Sequence, residues 1–157
     1  MSGHIPRRGW AGTHLVLAVT LLLGLLPISV PAFSAAVFTV DSTEDAVDAA
    51  PGDGTCATST GDCTLRAAIM ETNALAGADA IQLPAGTYVL TIEGTEEDAA
   101  STGDLDITGS LHIVGAGDAV TIIDGNDLDR VLHVIGSDTS VEIVGIEITG
   151  GAEFRFG

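Results

Sequence analysis

One short pattern, Leu-x-(Ile/Val)-x-Gly, recurs at a constant spacing and constrains the fold more than any other feature. Its three copies stand at residues 90–94, 111–115 and 132–136, so each lies 21 positions after the one before. A second pattern, Leu-Asp-Ile-Thr-Gly at 105–109, returns in similar form at 146–150. Apolar and polar residues alternate in each copy before a glycine, which is typical of a short strand followed by a turn.

Short strands with a regular spacing predict a solenoid, because one repeat cannot bury its own apolar side and must stack on the next. We therefore expect an all-β fold over residues 80–157, a right-handed parallel β-helix with about 21 residues per rung. Residues 153–157 read as the start of another strand. We accordingly expect an incomplete C-terminal end and a chain that is a piece of a longer protein.

One helix is expected before the first strand, over residues 64–75. Thr64 can accept hydrogen bonds from the first amides of this helix, and Gly77 lies just past its end. We expect residues 36–79 to form an N-terminal cap in which the helix covers the raw end of the solenoid. The apolar side of the helix repeats at helical spacing and consists of Leu65, Ala68, Ile69, Thr72 and Leu75.

The chain has two cysteines, Cys56 and Cys63, seven positions apart. No further cysteine or neighbouring histidine completes a zinc set, so we expect a disulfide. A disulfide is stable in an oxidising compartment, which agrees with export.

The first 35 residues predict an export signal. Arg7 and Arg8 precede a 16-residue apolar run at 15–30, and small residues follow from Ala32. This order is typical of a secretory signal peptide. The alternative, a membrane anchor, is disfavoured because a spanning helix needs about 20 apolar residues. We expect a secreted or cell-surface protein that keeps no transmembrane span after cleavage.

The charge is strongly acidic, with 22 Asp and Glu against 5 Arg and a net charge of −17. Nucleic acid is excluded as a partner, because its affinity depends on cations that contact phosphates. The electrostatic field of this negative charge attracts cations. Two explanations stay open, solubility outside the cell and the binding of a divalent cation.

Calcium is the cofactor that the acidic residues suggest. Asp104 and Asp106 alternate with apolar residues and should point to the same side of a strand, and further acids follow in a turn. Carboxylate oxygens are ligands that calcium prefers, although Asx turns explain the same residues without a metal. The candidate ligands are Asp104, Asp106, Asp124, Asp127 and Asp129.

His112 and His133 occupy equivalent positions of the 21-residue repeat. In a solenoid they would lie on successive rungs, about 4.8 Å apart on the outer wall. We expect an ordinary polar ladder there, and a shared transition metal is the alternative.

The chain resembles the CSLREA domain family. The resemblance depends on Cys63-Thr64-Leu65-Arg66-Ala67-Ala68-Ile69, preceded by 38–41 and 51–56 and followed by 103–107, and it covers most of residues 37–151. Thr64 and Ala67 depart from the Ser and Glu of the family name. The resemblance implies an exported bacterial protein with a β-helix similar to pectin lyases and polymorphic outer-membrane proteins, and it implies no reaction.

Two functions of different class follow. The favoured one is a structural or adhesive segment without catalysis, which contacts extracellular polysaccharide or a host or neighbouring cell surface. The alternative is the N-terminal part of a carbohydrate-active lyase or hydrolase. We expect no catalytic residue, because Arg66 falls in the cap, Arg155 in the last residues, and Arg130 beside Asp127 and Asp129, where it would form a turn ion pair.

Overall fold

A computed structural model describes residues 35–152. The predicted signal peptide, except for its last residue, and the segment 153–157 lie outside the described residues. Strands account for 31% of the described part and helix for 8%, so the chain is built mainly from strands in parallel sheets.

The described residues contain one helix, α1, and nine strands. Their order along the chain is β1 (Val37–Thr39), α1 (Leu65–Ala74), β2 (Ala78–Leu83), β3 (Gly86–Val89), β4 (Leu105–Ile107), β5 (Ser110–Gly115), β6 (Thr121–Asp124), β7 (Leu132–Val134), β8 (Val141–Val144) and β9 (Glu147–Thr149).

The strands form three parallel sheets. Their orders are β1-β2-β5-β8, β3-β6-β9 and β4-β7. Because β1 pairs with β2, residues 37–39 share a sheet with strands far along the chain. The register is fixed by the cross-strand pairs Phe38 with Ile81, Ile81 with Ile113, Ile113 with Ile143, Tyr88 with Ile123, Ile123 with Ile148, and Asp106 with His133.

The expected right-handed parallel β-helix is wrong. The sheets are short and separate and do not close into a solenoid. The 21-residue spacing does not govern strand pairing either, because Leu111 pairs with Val141 and Leu132 pairs with Leu105. Loops of unequal length therefore set the pairing, and the longest described one between strands, residues 90–104, separates β3 from β4.

Helix α1 lies within the predicted residues 64–75. It begins after Thr64, an extended N-cap residue whose side chain accepts a hydrogen bond from the Ala67 amide at 3.1 Å. It ends at Leu75, whose amide donates to the carbonyls of Glu71 and Thr72. The helix packs on β2 and β4 through its apolar side, which buries Leu65 and Ile69.

Two further contacts anchor the segment that precedes α1. The Cys56–Cys63 disulfide is present, with Cα atoms 5.1 Å apart, and confirms the predicted pairing. The fully buried Glu71 carboxylate accepts hydrogen bonds at 2.5 Å from the amides of Gly52 and Gly54. Both glycines have positive φ, at 94° and 86°, a conformation that glycine adopts readily, so the turn directs two amides at one carboxylate.

The apolar core lies between the sheets and α1. Inward residues of the strands and the helix are almost completely buried there, which supplies the main favourable contribution to folding. The largest of them are Ile69, Ile81, Leu83, Leu105, Ile107, Ile113 and Ile123. Within residues 35–152, no helix has the length and apolar character that a membrane crossing requires.

Candidate metal centre

Asp106 and His133 face each other across the two-stranded sheet. They are register partners in β4 and β7, so their side chains stand on the same face. Asp106 Oδ1 lies 2.9 Å from His133 Nδ1. The Asp106 side chain is fully buried, whereas one third of the His133 side chain is exposed. A carboxylate beneath the surface is therefore covered by an imidazole that solvent can reach.

Asp98 adds a second carboxylate from the long loop before β4. Its Oδ1 lies 3.9 Å from His133 Nδ1, and its side chain is mostly exposed. One ligand atom each from Asp98, Asp106 and His133 lies within 4.8 Å of the others. Two carboxylate oxygens and one imidazole nitrogen thus converge in a group able to hold a metal ion. We call these three residues the Asp-His cluster.

A guanidinium group borders the Asp-His cluster. Arg130 Nε donates to Asp104 Oδ2 at 2.9 Å, and Nη2 lies 3.5 Å from His133 Nδ1. The Asp104 side chain is almost completely buried, whereas the Arg130 side chain is half exposed. The hydrogen bond to Asp104 raises the pKa of Arg130 above its ordinary value. Arg130 therefore carries a permanent positive charge beside the imidazole.

Arg66 of α1 positions the loop that supplies Asp98 and Asp104. Its Nη1 donates to the carbonyls of Ala100 and Asp104, and its Nη2 donates to the carbonyl of Gly103. The same guanidinium forms a buried, two-point ion pair with Asp45 at 2.6 and 3.2 Å. Arg66 was expected to be structural, and all five of its N–H donors are engaged in this way.

Two polar side chains, Glu97 and Asn73, also hold the main chain around the Asp-His cluster. Glu97 accepts hydrogen bonds from Ala99, Ser101 and Thr102, which closes the turn that contains Asp98. Burial raises the pKa of Glu97, but these hydrogen bonds together outweigh burial, so the pKa lies below its ordinary value.

Asn73 of α1 supports the strand that carries Asp106. Its side chain donates to the Asp106 carbonyl at 2.7 Å and accepts from the Thr108 amide at 2.9 Å. The helix thereby fixes the main chain of β4.

The Asp106 carboxylate sits in an unfavourable electrostatic position. Burial raises its pKa, and the nearby charges of Asp104 and Glu97 raise it further, whereas hydrogen bonds from His133 and the Ala100 amide lower it. The net effect is a pKa above the ordinary value. A cation close to Asp106 would stabilise its ionised form.

The five acids predicted as calcium ligands do not form one site. Asp106 lies on β4 and Asp104 directly precedes it, where it bonds Arg130, and Asp129 accepts a hydrogen bond from the Arg130 amide. Asp124 and Asp127 belong to a separate turn next to Gly150, where Asp124 caps the Asn126 amide and the Asp127 amide donates to the Gly150 carbonyl. The Asx-turn explanation therefore fits Asp124.

His112 and His133 are not stacked as the repeat predicted. His112 lies in β5, between Ala80 and Glu142 of the neighbouring strands, whereas His133 lies in β7. The predicted ladder is wrong because positions 21 residues apart fall in different sheets. Arg130 also differs from expectation, since its side chain pairs with Asp104 rather than with Asp127 or Asp129.

Sequence reasoning missed Asp98 and the pairing of Asp106 with His133. Asp98 lies in a loop without periodicity, and 35 positions separate it from His133, so no local pattern connects them. The one available signal was the alternation in β4, which placed Asp106 on a strand.

Comparison with known proteins identifies no relative of this chain. No family model matches the chain, and the searches of curated proteins and of solved structures return no match.

Proposed function

We propose that this protein works outside the cytoplasm as a non-catalytic contact domain that binds a divalent metal ion at Asp98, Asp106 and His133. One observation carries the proposal, the convergence of their three ligand atoms within 4.8 Å around a fully buried carboxylate. The partner that we propose for the surface is an extracellular polysaccharide or the surface of a host or neighbouring cell.

Two features support an extracytoplasmic location. The Cys56–Cys63 disulfide is the kind of bond that persists in oxidising compartments. The order of basic, apolar and small residues at the N-terminus supports export. The resemblance of residues 63–69 to the CSLREA domain family agrees with the same location.

The state of the described arginines supports a non-catalytic role. A lyase acting on acidic polysaccharide needs a basic group that can take a proton from the substrate. Within residues 35–152, the Arg66 side chain is fully buried among five acceptors, and Arg130 is bonded to the buried Asp104. Both guanidinium groups stabilise the fold around the Asp-His cluster, which disfavours the alternative of a carbohydrate-active enzyme.

Calcium is the ion that the sequence alone suggests, and it stays a candidate for Asp104 and Asp106. Asp104, however, already bonds Arg130, and Asp124 and Asp127 lie in a different turn. The ligands that the geometry offers together are therefore two carboxylates and an imidazole.

Titration calorimetry on the full, oxidised and metal-stripped chain tests the proposal. We expect one divalent ion per chain, and binding that is lost in Asp98→Asn, whose side chain is exposed and whose substitution should leave the fold intact. Asp127→Asn is the matched control, because it removes an acid of similar exposure from another turn. The absence of stoichiometric binding by any divalent ion would overturn the proposed metal site.

A second assay separates a contact domain from an enzyme. Acidic and neutral polysaccharides are incubated with the metal-loaded protein, and reducing and unsaturated ends are counted. We expect no release above buffer. Release that disappears in Arg130→Gln would favour the carbohydrate-active alternative instead.

A further inference from the structure

The three donors of the Asp-His cluster discriminate between classes of metal ion. Calcium takes six to eight oxygen ligands, including main-chain carbonyls. Imidazole nitrogen is instead a ligand for transition metals such as zinc, copper and nickel. The cluster supplies only two carboxylates with one imidazole, so its composition suits a transition-metal ion with few protein ligands and water in the remaining positions.

Several main-chain carbonyls near the cluster already accept hydrogen bonds from α1. Those of Ala100, Gly103 and Asp104 accept hydrogen bonds from Arg66. The Asp106 carbonyl accepts from Asn73 at 2.7 Å. The main chain around Asp106 is thus engaged with α1, which makes these oxygens less available as calcium ligands.

The spacing of the donor atoms fits a small ion. Zinc bonds imidazole and carboxylate at about 2.0–2.2 Å, which places tetrahedral ligand atoms about 3.4 Å from one another. His133 Nδ1 lies 2.9 Å from the Asp106 oxygen and 3.9 Å from the Asp98 oxygen. Each of these two distances differs from the tetrahedral spacing by about half an ångström, and the exposed Asp98 and partly exposed His133 have room to adjust.

The buried negative charges near the cluster also favour a bound dication. Asp104, just before β4, and Asp106 within it place two almost fully buried carboxylates close together, and of these two the Arg130 guanidinium bonds only Asp104. A dication between Asp106 and His133 would replace their hydrogen bond with two metal bonds. It would also offset a buried negative charge that the neighbouring arginine does not contact.

We propose that the Asp-His cluster takes a transition-metal dication of the zinc class and discriminates against calcium, with Nδ1 of His133 as the selecting ligand. This inference rests on the proposed function, since it names the ion that the same site binds. Metal binding requires the lone pair of Nδ1, so the imidazole binds as the neutral tautomer that carries its proton on Nε2.

Competition titrations on the full, oxidised chain test the inference with Zn²⁺, Co²⁺, Mn²⁺ and Ca²⁺ as probes. We expect Zn²⁺ to displace Co²⁺ at one equivalent, and Ca²⁺ not to displace it at a thousandfold excess. The His133→Gln substitution should weaken Zn²⁺ binding by more than about 100-fold. Loss of a residue that only supports a metal ligand costs up to about 100-fold, and loss of the ligand itself should cost more. Calcium binding should be unchanged in this variant.

His112→Gln is the matched control, because it removes the same residue type from β5 and should leave Zn²⁺ affinity unchanged. Thermal melts of both variants without metal verify that they fold. Calcium binding as tight as zinc binding, or a His133→Gln variant with unaltered zinc affinity, would overturn the inference while the proposed metal site stands. A chain that binds none of the four ions would overturn the proposed function itself.

Discussion

Replacing Arg66 with methionine should cause the largest loss of stability of any single substitution proposed for this protein. Methionine fills the space of the aliphatic stem of arginine, so packing around the stem changes little. It removes the guanidinium that bonds Asp45 and three main-chain carbonyls. Because the two side chains of the ion pair are 0% and 2% exposed, solvent cannot replace the lost contacts.

The size of the effect follows from the partners that stay behind. Removal of one member of a buried ion pair costs about 3–5 kcal/mol, because it leaves an uncompensated charge. Asp45 keeps hydrogen bonds from the amides of Thr91 and Ile92 at 2.6 and 3.0 Å, which moderates the loss. A domain of roughly 120 residues has about 6–18 kcal/mol of total stability. Arg66→Met should therefore remove a substantial fraction of it.

Urea denaturation followed by circular dichroism measures the loss. With a slope of about 2 kcal/mol per molar urea, a cost of 4 kcal/mol moves the midpoint by about 2 M. Adding Asp45→Asn to Arg66→Met should recover part of this shift, since the stranded charge is removed. Arg130→Met is the comparison, because Asp104 is almost completely buried but the Arg130 side chain is half exposed, so its loss should be smaller than that of Arg66→Met. A loss below about 1 kcal/mol for Arg66→Met, or no recovery in the double variant, would refute the reasoning.

Three further predictions concern other parts of the molecule. Replacing Cys56 and Cys63 with serine should lower the free energy of unfolding by about 2.5 kcal/mol, the loop-closure estimate for so short a loop, and equal urea midpoints for the two proteins would contradict it. Burial raises the pKa of Tyr88 above 10.0. The fold should therefore lose stability as pH rises past 10, because Tyr88 ionises more readily in the unfolded chain. The stability gap between wild type and Tyr88→Phe should therefore narrow in melts taken from pH 9 to 12, and a constant gap would argue against that titration. Arg130→Gln should tighten Zn²⁺ binding in calorimetry, because it removes a cation 3.5 Å from His133 Nδ1, whereas weaker binding would mean that Arg130 holds the cluster together.

The local elements could be predicted from the sequence, because they depend on neighbouring residues. Alternation identified β4 and β5, and the Thr64 cap with its apolar periodicity identified α1. The disulfide followed from two cysteines without other partners. Each of these inferences uses interactions within a few residues of the chain.

The pairing of strands could not be predicted, because it depends on loop lengths and not on the spacing of the repeated sequence pattern. The 21-residue period suggested that Leu111 and Leu132 were neighbours, yet β5 pairs with β8 and β7 pairs with β4. Because the expected register was wrong, the histidine ladder was wrong with it. The pairing of Asp106 with His133 appears only when β4 and β7 are placed side by side.

The central claim, a metal ion held by Asp98, Asp106 and His133, is tested most directly by diffraction from zinc-soaked crystals, with data collected on both sides of the zinc absorption edge. The account predicts one anomalous peak per chain, about 2.0–2.2 Å from His133 Nδ1 and from one oxygen of each carboxylate. A peak confined to other acidic residues, or no peak at saturating zinc while the His133–Asp106 hydrogen bond persists, would contradict it.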